Sequence, residues 1–221
     1  MSISNFFVRR AELPDIPFLV DGIIAAEKSG TDRLSYCTIF GLSEQETRSI
    51  LSEILAEDVR GQELCVSNFQ IFESCGVSVG AACAWVEGQA GKPSGVLKGN
   101  LLLHYVGRAR IVEAAARLKI VEELNFARTP GTLQIESVYV RPDHRGQGIF
   151  GHLLDAHVRN LRGKLPVVSK AHIVLVKNNS SAFRAYEKAG FLIVSERTSN
   201  EPRILELLPA ASKVLMERSL Q

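Results

Sequence analysis

The sequence predicts one α/β domain, a central sheet with helices on both faces, and three observations predict it. Apolar runs of strand length alternate with stretches of helical period along the 221 residues. Residues 171–176 are almost wholly apolar, as a strand buried on both faces must be. Residues 133–140 form a third signal: an apolar strand that passes through a loop bearing Gly146 and Gly148 into an amphipathic helix.

The elements follow in order. Residues 6–10 (FFVRR) read as a first strand. Asp15 stands where a helix cap belongs and Pro17 in the first turn; Phe18, Leu19, Ile23 and Ile24 then keep helical spacing, and Gly30 marks the stop. Ser43 followed three residues on by Glu46 is a capping box, and Ile50, Leu51, Ile54 and Leu55 give that helix its buried stripe. Two runs rich in Val, Ile, Phe, Cys and Ala, 63–73 and 76–86, flank a Ser-Cys-Gly turn and predict a β-hairpin. Glycines at 88, 91, 95 and 99 and Pro93 predict a flexible loop over 88–100. A single long helix is expected over 101–126, through Val106, Ile111, Ala115, Leu118, Val121 and Leu124, ended by Pro130-Gly131. The strand 133–140 follows, then a helix with Leu153, Leu154, Val158 and Leu161 on one face, the strand 171–176, a helix from Asn179, and strands at 191–195 and 214–217.

Bulk properties narrow the function. A net charge of +2 gives no strong field for nucleic acid or membrane. No apolar run reaches the roughly 20 residues that span a bilayer, and Met1–Asn5 lacks the basic start and apolar core of a signal peptide, so a cytoplasmic protein is expected. Cys37, Cys65, Cys75 and Cys83 show no C-x-x-C spacing and read as reduced thiols. The histidines at 144, 152, 157 and 172 lack metal-ligand spacing, and no metal is expected.

The loop after residue 140 carries the chemistry. Glycine lets a ligand approach the backbone, and a helix N-terminus adds free N–H donors and a positive dipole end, a combination suited to phosphate. A Walker loop is excluded because Gln147, not a Lys-Ser or Lys-Thr pair, follows Gly146. Gly146-x-Gly148-x-x-Gly151 matches the dinucleotide fingerprint in its letters, but it lies late in the chain.

The run Val140, Pro142, Arg145, Gly146, Gly148 resembles motif A of the Gcn5-related N-acetyltransferases (GNAT), with Asp143 in place of the usual Gln or Arg and Phe150 where many members have a small residue. Residues 179–191 are similar to motif B, with Asn179, Ala182, Tyr186, Lys188, Gly190 and Phe191 in register. The resemblance is sharp over 134–192. It implies a GNAT-like mixed sheet, splayed after the motif A strand, and an acyl-CoA-dependent N-acyltransferase that carries acetyl from acetyl-CoA to a primary amine by direct attack. The acceptor is a small molecule or a peptide. A non-catalytic acyl-CoA-binding module and, on the glycine match, a nucleotide-binding oxidoreductase are the rivals.

The same resemblance assigns site residues. Backbone groups of Val138, Tyr139 and Val140 are expected along the pantetheine arm. Arg145, Gly146, Gln147, Gly148, Ile149, Phe150 and Gly151 are expected around the pyrophosphate, and Asn179 either contacts CoA or only caps its helix. Tyr186 is the expected general acid for the departing thiolate. For the general base, Glu136 is the first candidate. It is a charge in an apolar strand, expensive unless paired or functional, and period-2 alternation expects it on the same side as Val138. An ion pair with an arginine is its alternative, and His104 is the second candidate base. Residues 88–131 are read as a helical insertion in the single domain 1–221, shaping the acceptor site through Leu103 or Tyr105 or forming a homodimer contact.

Overall fold

The computed structural model describes residues 6–161 and 168–220; the expectation about Met1–Asn5 lies outside them. Seven strands form one open sheet in the order β1-β2-β3-β4-β5-β7-β6. They are β1 (Phe6–Arg10), β2 (Phe69–Ser74), β3 (Val77–Val86), β4 (Leu133–Val140), β5 (Lys170–Val176), β6 (Leu192–Thr198) and β7 (Ser212–Ser219). Only β4 and β5 run parallel; every other neighbouring pair is antiparallel.

Eight helices join the described strands: α1 (Ile16–Lys28), α2 (Ser35–Phe40), α3 (Glu44–Glu57), α4 (Ser94–Val106), α5 (Arg108–Glu122), α6 (Ile149–Leu161), α7 (Ser180–Lys188) and the single turn α8 (Ile204–Leu207). Alternation along the strands divides the core between two faces. Ile71, Ala81, Cys83 and Trp85 pack with α1 to α5. Phe72, Val79 and Ala82 pack instead on Ile149 and Leu153 of α6. Ala84, Val86, Ile135 and Ile173 join Phe150, Leu154 and Tyr186 in a third cluster.

Several expectations hold in detail. Ser43 accepts from the Glu46 N–H while Glu46 returns to the Ser43 N–H, which fixes the start of α3. The β2–β3 turn uses Cys75 (φ 50°) and Gly76 (φ 76°), a left-handed pair whose twist suits a two-residue hairpin. Asp15 precedes α1 but makes no side-chain cap; its carboxylate instead accepts from the two terminal guanidinium nitrogens of Arg9, at 2.7 and 2.8 Å.

Others are corrected. Residues 63–68 are not strand; β2 begins at Phe69. The expected flexible loop over 88–100 is helical from Ser94, because the Glu87 carboxylate accepts from the Ser94 N–H (2.9 Å) and hydroxyl (2.6 Å) and so sits at the positive end of α4. The expected single helix over 101–126 is two, broken at Gly107 (φ 89°). Helix α2 was not anticipated at all.

Candidate active site

The site begins where two strands part. β4 and β5 share three pairs, ending at Ile135↔Ile173. Beyond them β4 stays with β3 as far as Val140, and β5 stays with β7 as far as Val176. A bulge on β4 accompanies the parting: the register steps from Cys83↔Glu136 to Ala81↔Tyr139, and Ser137 takes a left-handed φ of 51°. From α6, the buried His157 ring lies 2.9 Å from the carbonyl oxygen of Ala82, the β3 residue skipped by the bulge. Burial pushes His157 down to about 4, so the ring is neutral near pH 7 and its Nε2–H donates to that carbonyl.

The bulge corrects the expectation for Glu136. Residues paired across strands share a face. Glu136, opposite Cys83, therefore faces α1 to α5, whereas Val138 packs with the α6 side. Period-2 alternation fails here because the bulge inserts a residue between them.

Backbone groups sort themselves by the same ladder. The Arg141 N–H donates to the Val79 carbonyl at 2.8 Å. Bonding toward one neighbour alternates along an antiparallel strand, so Tyr139 bonds to β3 while Val138 and Val140 turn toward the open side. The Val140 carbonyl there accepts Arg145 Nε at 3.1 Å. Tyr139 points its ring at α1, 5.8 Å from the Phe18 ring and against Gly22.

Gly146 (φ 78°) and Gly148 (φ 76°) turn the chain from β4 into α6. Among the described residues, no backbone acceptor takes the N–H of Gly146, Gln147 or Gly148, and all three are exposed. They stand beside the N-terminus of α6, a ready anion cradle. The Gly151 N–H is used locally, bonding the Gly148 carbonyl at 2.9 Å. Ile149 anchors the loop: its Cγ2 would lie 2.7 Å from a Cβ at Gly80, so only glycine admits it there. The buried Phe150 ring lies 4.8 Å from the Tyr186 ring.

A cavity of about 570 Å³ runs through the opening and brings together Glu136, Ser137, Val138, Asn179 and Tyr186. Asn179 caps α7, accepting from the Ala182 N–H at 3.1 Å. Tyr186 is buried, and no hydrogen bond to its hydroxyl is present among the described residues. Burial, and next the nearby Glu136, push the phenol up, so it is a proton donor across the neutral range.

On the α1 and α4 side the cavity wall is charged. Arg128 Nη2 donates to Glu63 (2.9 Å) and to Glu136 (3.1 Å), and Lys98 bonds Glu63. Burial opposes charge on Glu63, but Lys98 and Arg128 outweigh it and hold the carboxyl well below its usual range. For Glu136 burial wins: Arg128 opposes it, Glu63 adds to it, and the carboxyl is raised. The arginine pairing weighed from sequence is thus present, while 26% of the Glu136 side chain stays open.

Glu63, Glu87, Lys98 and Arg128 were not singled out from sequence. Glu63 and Glu87 carried the signal that marked Glu136, an acidic residue beside an apolar run. His104 is exposed, stacked edge-on against Tyr105 and away from the cavity. Leu103 is 45% exposed and Tyr105 bonds Glu57; α4 lines the cavity through Ser94, Gly95 and Lys98 instead. Among the described residues no cluster of His, Cys, Asp and Glu could hold a metal ion, and no helix is long and apolar enough to cross a membrane.

The fold recurs in solved structures. An N-acetyltransferase from Staphylococcus aureus Mu50 superposes with a TM-score of 0.64 at 14% identity, over 96% of this chain and 99% of that one. The yncA protein of Salmonella typhimurium, solved with its cofactor acetyl-CoA, gives 0.54 at 16% identity, over 99% and 95%. An agmatine N-acetyltransferase variant gives 0.58 at 13% identity, over 98% and 100%. At these identities the likeness is one of fold. No curated protein matches the chain. The family model for the acetyltransferase (GNAT) family matches residues 51–191, which hold the bulged strand, the glycine loop and α7. The chain therefore belongs to the GNAT family of acetyltransferases, enzymes whose co-substrate is acetyl-CoA.

Proposed function

We propose that this enzyme transfers acetyl from acetyl-CoA to a primary amine by direct attack, with both substrates bound at once. The observation that carries this reading is the opening of β4 from β5 after Ile135, directly ahead of the glycine loop. Its free edge offers the Val138 and Val140 backbone to the pantetheine amides. Gly146, Gln147 and Gly148 offer N–H groups to the pyrophosphate, with Ile149 and Phe150 anchoring the loop from below. Arg145 steadies the loop through its bond to Val140 and adds positive charge.

Glu136, facing the acceptor side, takes a proton from the ammonium and frees the amine. The amine nitrogen attacks the thioester carbonyl. The C–N bond forms and the C–S bond breaks, and the departing sulfur takes a proton from Tyr186. The second amine proton restores Tyr186 by way of solvent, and Glu136 releases the first to solvent, so the products are an N-acetyl amide, the CoA thiol and one proton, with both side chains regenerated. Orientation of the two substrates supplies much of the acceleration.

Incubating the enzyme with acetyl-CoA and a pooled amine library, with mass spectrometry of the products, tests the reading. Amide products with matching release of free thiol are expected. Thiol release without any amide would replace transfer by hydrolysis, and neither product despite acetyl-CoA binding would leave only an acyl-CoA-binding module.

A further inference from the structure

Glu136 belongs to a four-residue ionic cluster assembled from distant parts of the chain. Glu63 precedes β2, Lys98 lies on α4, Arg128 precedes β4, and Glu136 lies on β4 at the bulge. One nitrogen of Arg128 serves both carboxylates, at 2.9 Å to Glu63 and 3.1 Å to Glu136. Lys98 bonds Glu63 and bonds no atom of Glu136. A single guanidinium charge cannot neutralise two carboxylates. The second cation sits on Glu63, so Glu136 is the less compensated of the pair; both line the cavity, and Glu136 is the one carried on the splayed strand itself.

We propose that Glu63 and Lys98 are positioning residues which, acting through Arg128, set how tightly the Glu136 carboxylate holds the proton it removes from the acceptor amine. The inference rests on Glu136 being the base, as proposed above. The ionised Glu63 beside it disfavours a second negative charge, and burial acts in the same direction. Lys98 limits the effect by drawing Glu63 toward itself. Other groups near Glu136 are the neutral Cys83 thiol from β3 and the Tyr186 phenol from α7, both held protonated by burial. His172 of β5 lines the same cavity but is tied to Glu217 at 2.9 Å. Glu27 of α1 and Tyr36 of α2 act at one remove, through Lys98.

The cluster predicts opposite signs for two substitutions. Glu63→Gln removes the like charge and leaves Lys98 and Arg128 facing Glu136, so its titration should move down by about one pH unit or more. Lys98→Met removes a cation, so Glu136 should move up by about as much. Damage to packing alone has no reason to reverse sign between the two.

NMR titration of the glutamate side-chain carboxyl carbons measures this in the enzyme without an acceptor, with Glu136 assigned by its loss in Glu136→Gln. The acidic limb of kcat/KM, measured with an amine found in the library screen, gives the catalytic reading. Opposite shifts in both measurements, with melting curves that confirm folded variants, are the expected result. No shift, or shifts of the same sign in folded variants, would overturn the proposal. If Lys98→Met fails to fold, Lys98→Gln replaces it. A fully active Glu136→Gln would instead remove the base assignment, while the NMR titration still decides the electrostatic claim.

Discussion

The two walls of the opening between β4 and β5 are built by opposite rules. Toward α6, the groups facing the gap are main-chain: Val138, Val140 and the N–H groups of Gly146 to Gly148. Their placement follows from register, a bulge and two left-handed glycines. Toward α1 and α4 the wall is made of charged side chains that depend on one another, with Arg128 shared by two carboxylates. If acetyl-CoA lies there as proposed, the first wall should tolerate exchange of its non-glycine side chains, because its contacts are main-chain. The second should be more sensitive to exchange, because removing one partner leaves another buried charge less compensated.

Three measurements test that contrast. Tyr186→Phe gives the largest expected effect, since its hydroxyl is the group proposed to protonate the leaving sulfur. A fall in kcat of roughly 10- to 1000-fold is expected with acetyl-CoA affinity little changed. Unchanged turnover, measured on an amine from the screen, would make Tyr186 a packing residue against Phe150 and Phe191.

Gly148→Val tests the main-chain wall. No protein atom lies within 4 Å of an added Cβ, yet φ is +76°, a conformation that costs a side-chain-bearing residue about 1–2 kcal/mol. The protein should remain folded while the loop rearranges. The rise in melting temperature that acetyl-CoA gives the unaltered enzyme should fall or vanish, corresponding to roughly tenfold or greater weakening. Retention of the full shift in this variant would remove the loop from the cofactor site.

The smallest effect concerns His157, which holds the Ala82 carbonyl at the bulge. Its folded value, about 4, lies below that of an unfolded histidine. Its contribution is therefore present above the unfolded value near 6.5 and is lost as pH falls toward the folded one. Between pH 7 and 5.5 the linkage amounts to about 1 kcal/mol. Denaturant unfolding should show the unaltered enzyme losing that much more stability over this interval than His157→Gln. Equal losses would mean that the ring does not stay neutral in the folded state.

The same contrast explains what the sequence disclosed. Gly146, Gly148 and Asn179 were legible because a left-handed turn and a helix cap restrict residue type. The bulge was not, since Ser137 reaches φ 51° without glycine; the face of Glu136 was misread for that reason alone. Glycines at 95 and 99 suggested a loop, but the Glu87 cap and packing of α4 overrode their local preference. The ionic cluster left no local pattern, because Glu63 is separated from Lys98 by 35 positions and from Arg128 by 65. Only the fold brings them together.

Trp85, the sole tryptophan of the chain, extends the charged wall into the core. Its indole is 2% exposed, its Nε1–H donates to Glu87 at 3.2 Å, and the Arg128 guanidinium stands 4.9 Å from the ring. A shielded indole emits toward the blue, and a cation held over its face shifts the energy and yield of that emission. The enzyme thus carries an intrinsic, label-free optical probe in contact with the arginine its carboxylates share. An acceptor that draws Arg128 away from the ring announces itself as a change in fluorescence, before any acetyl group has moved.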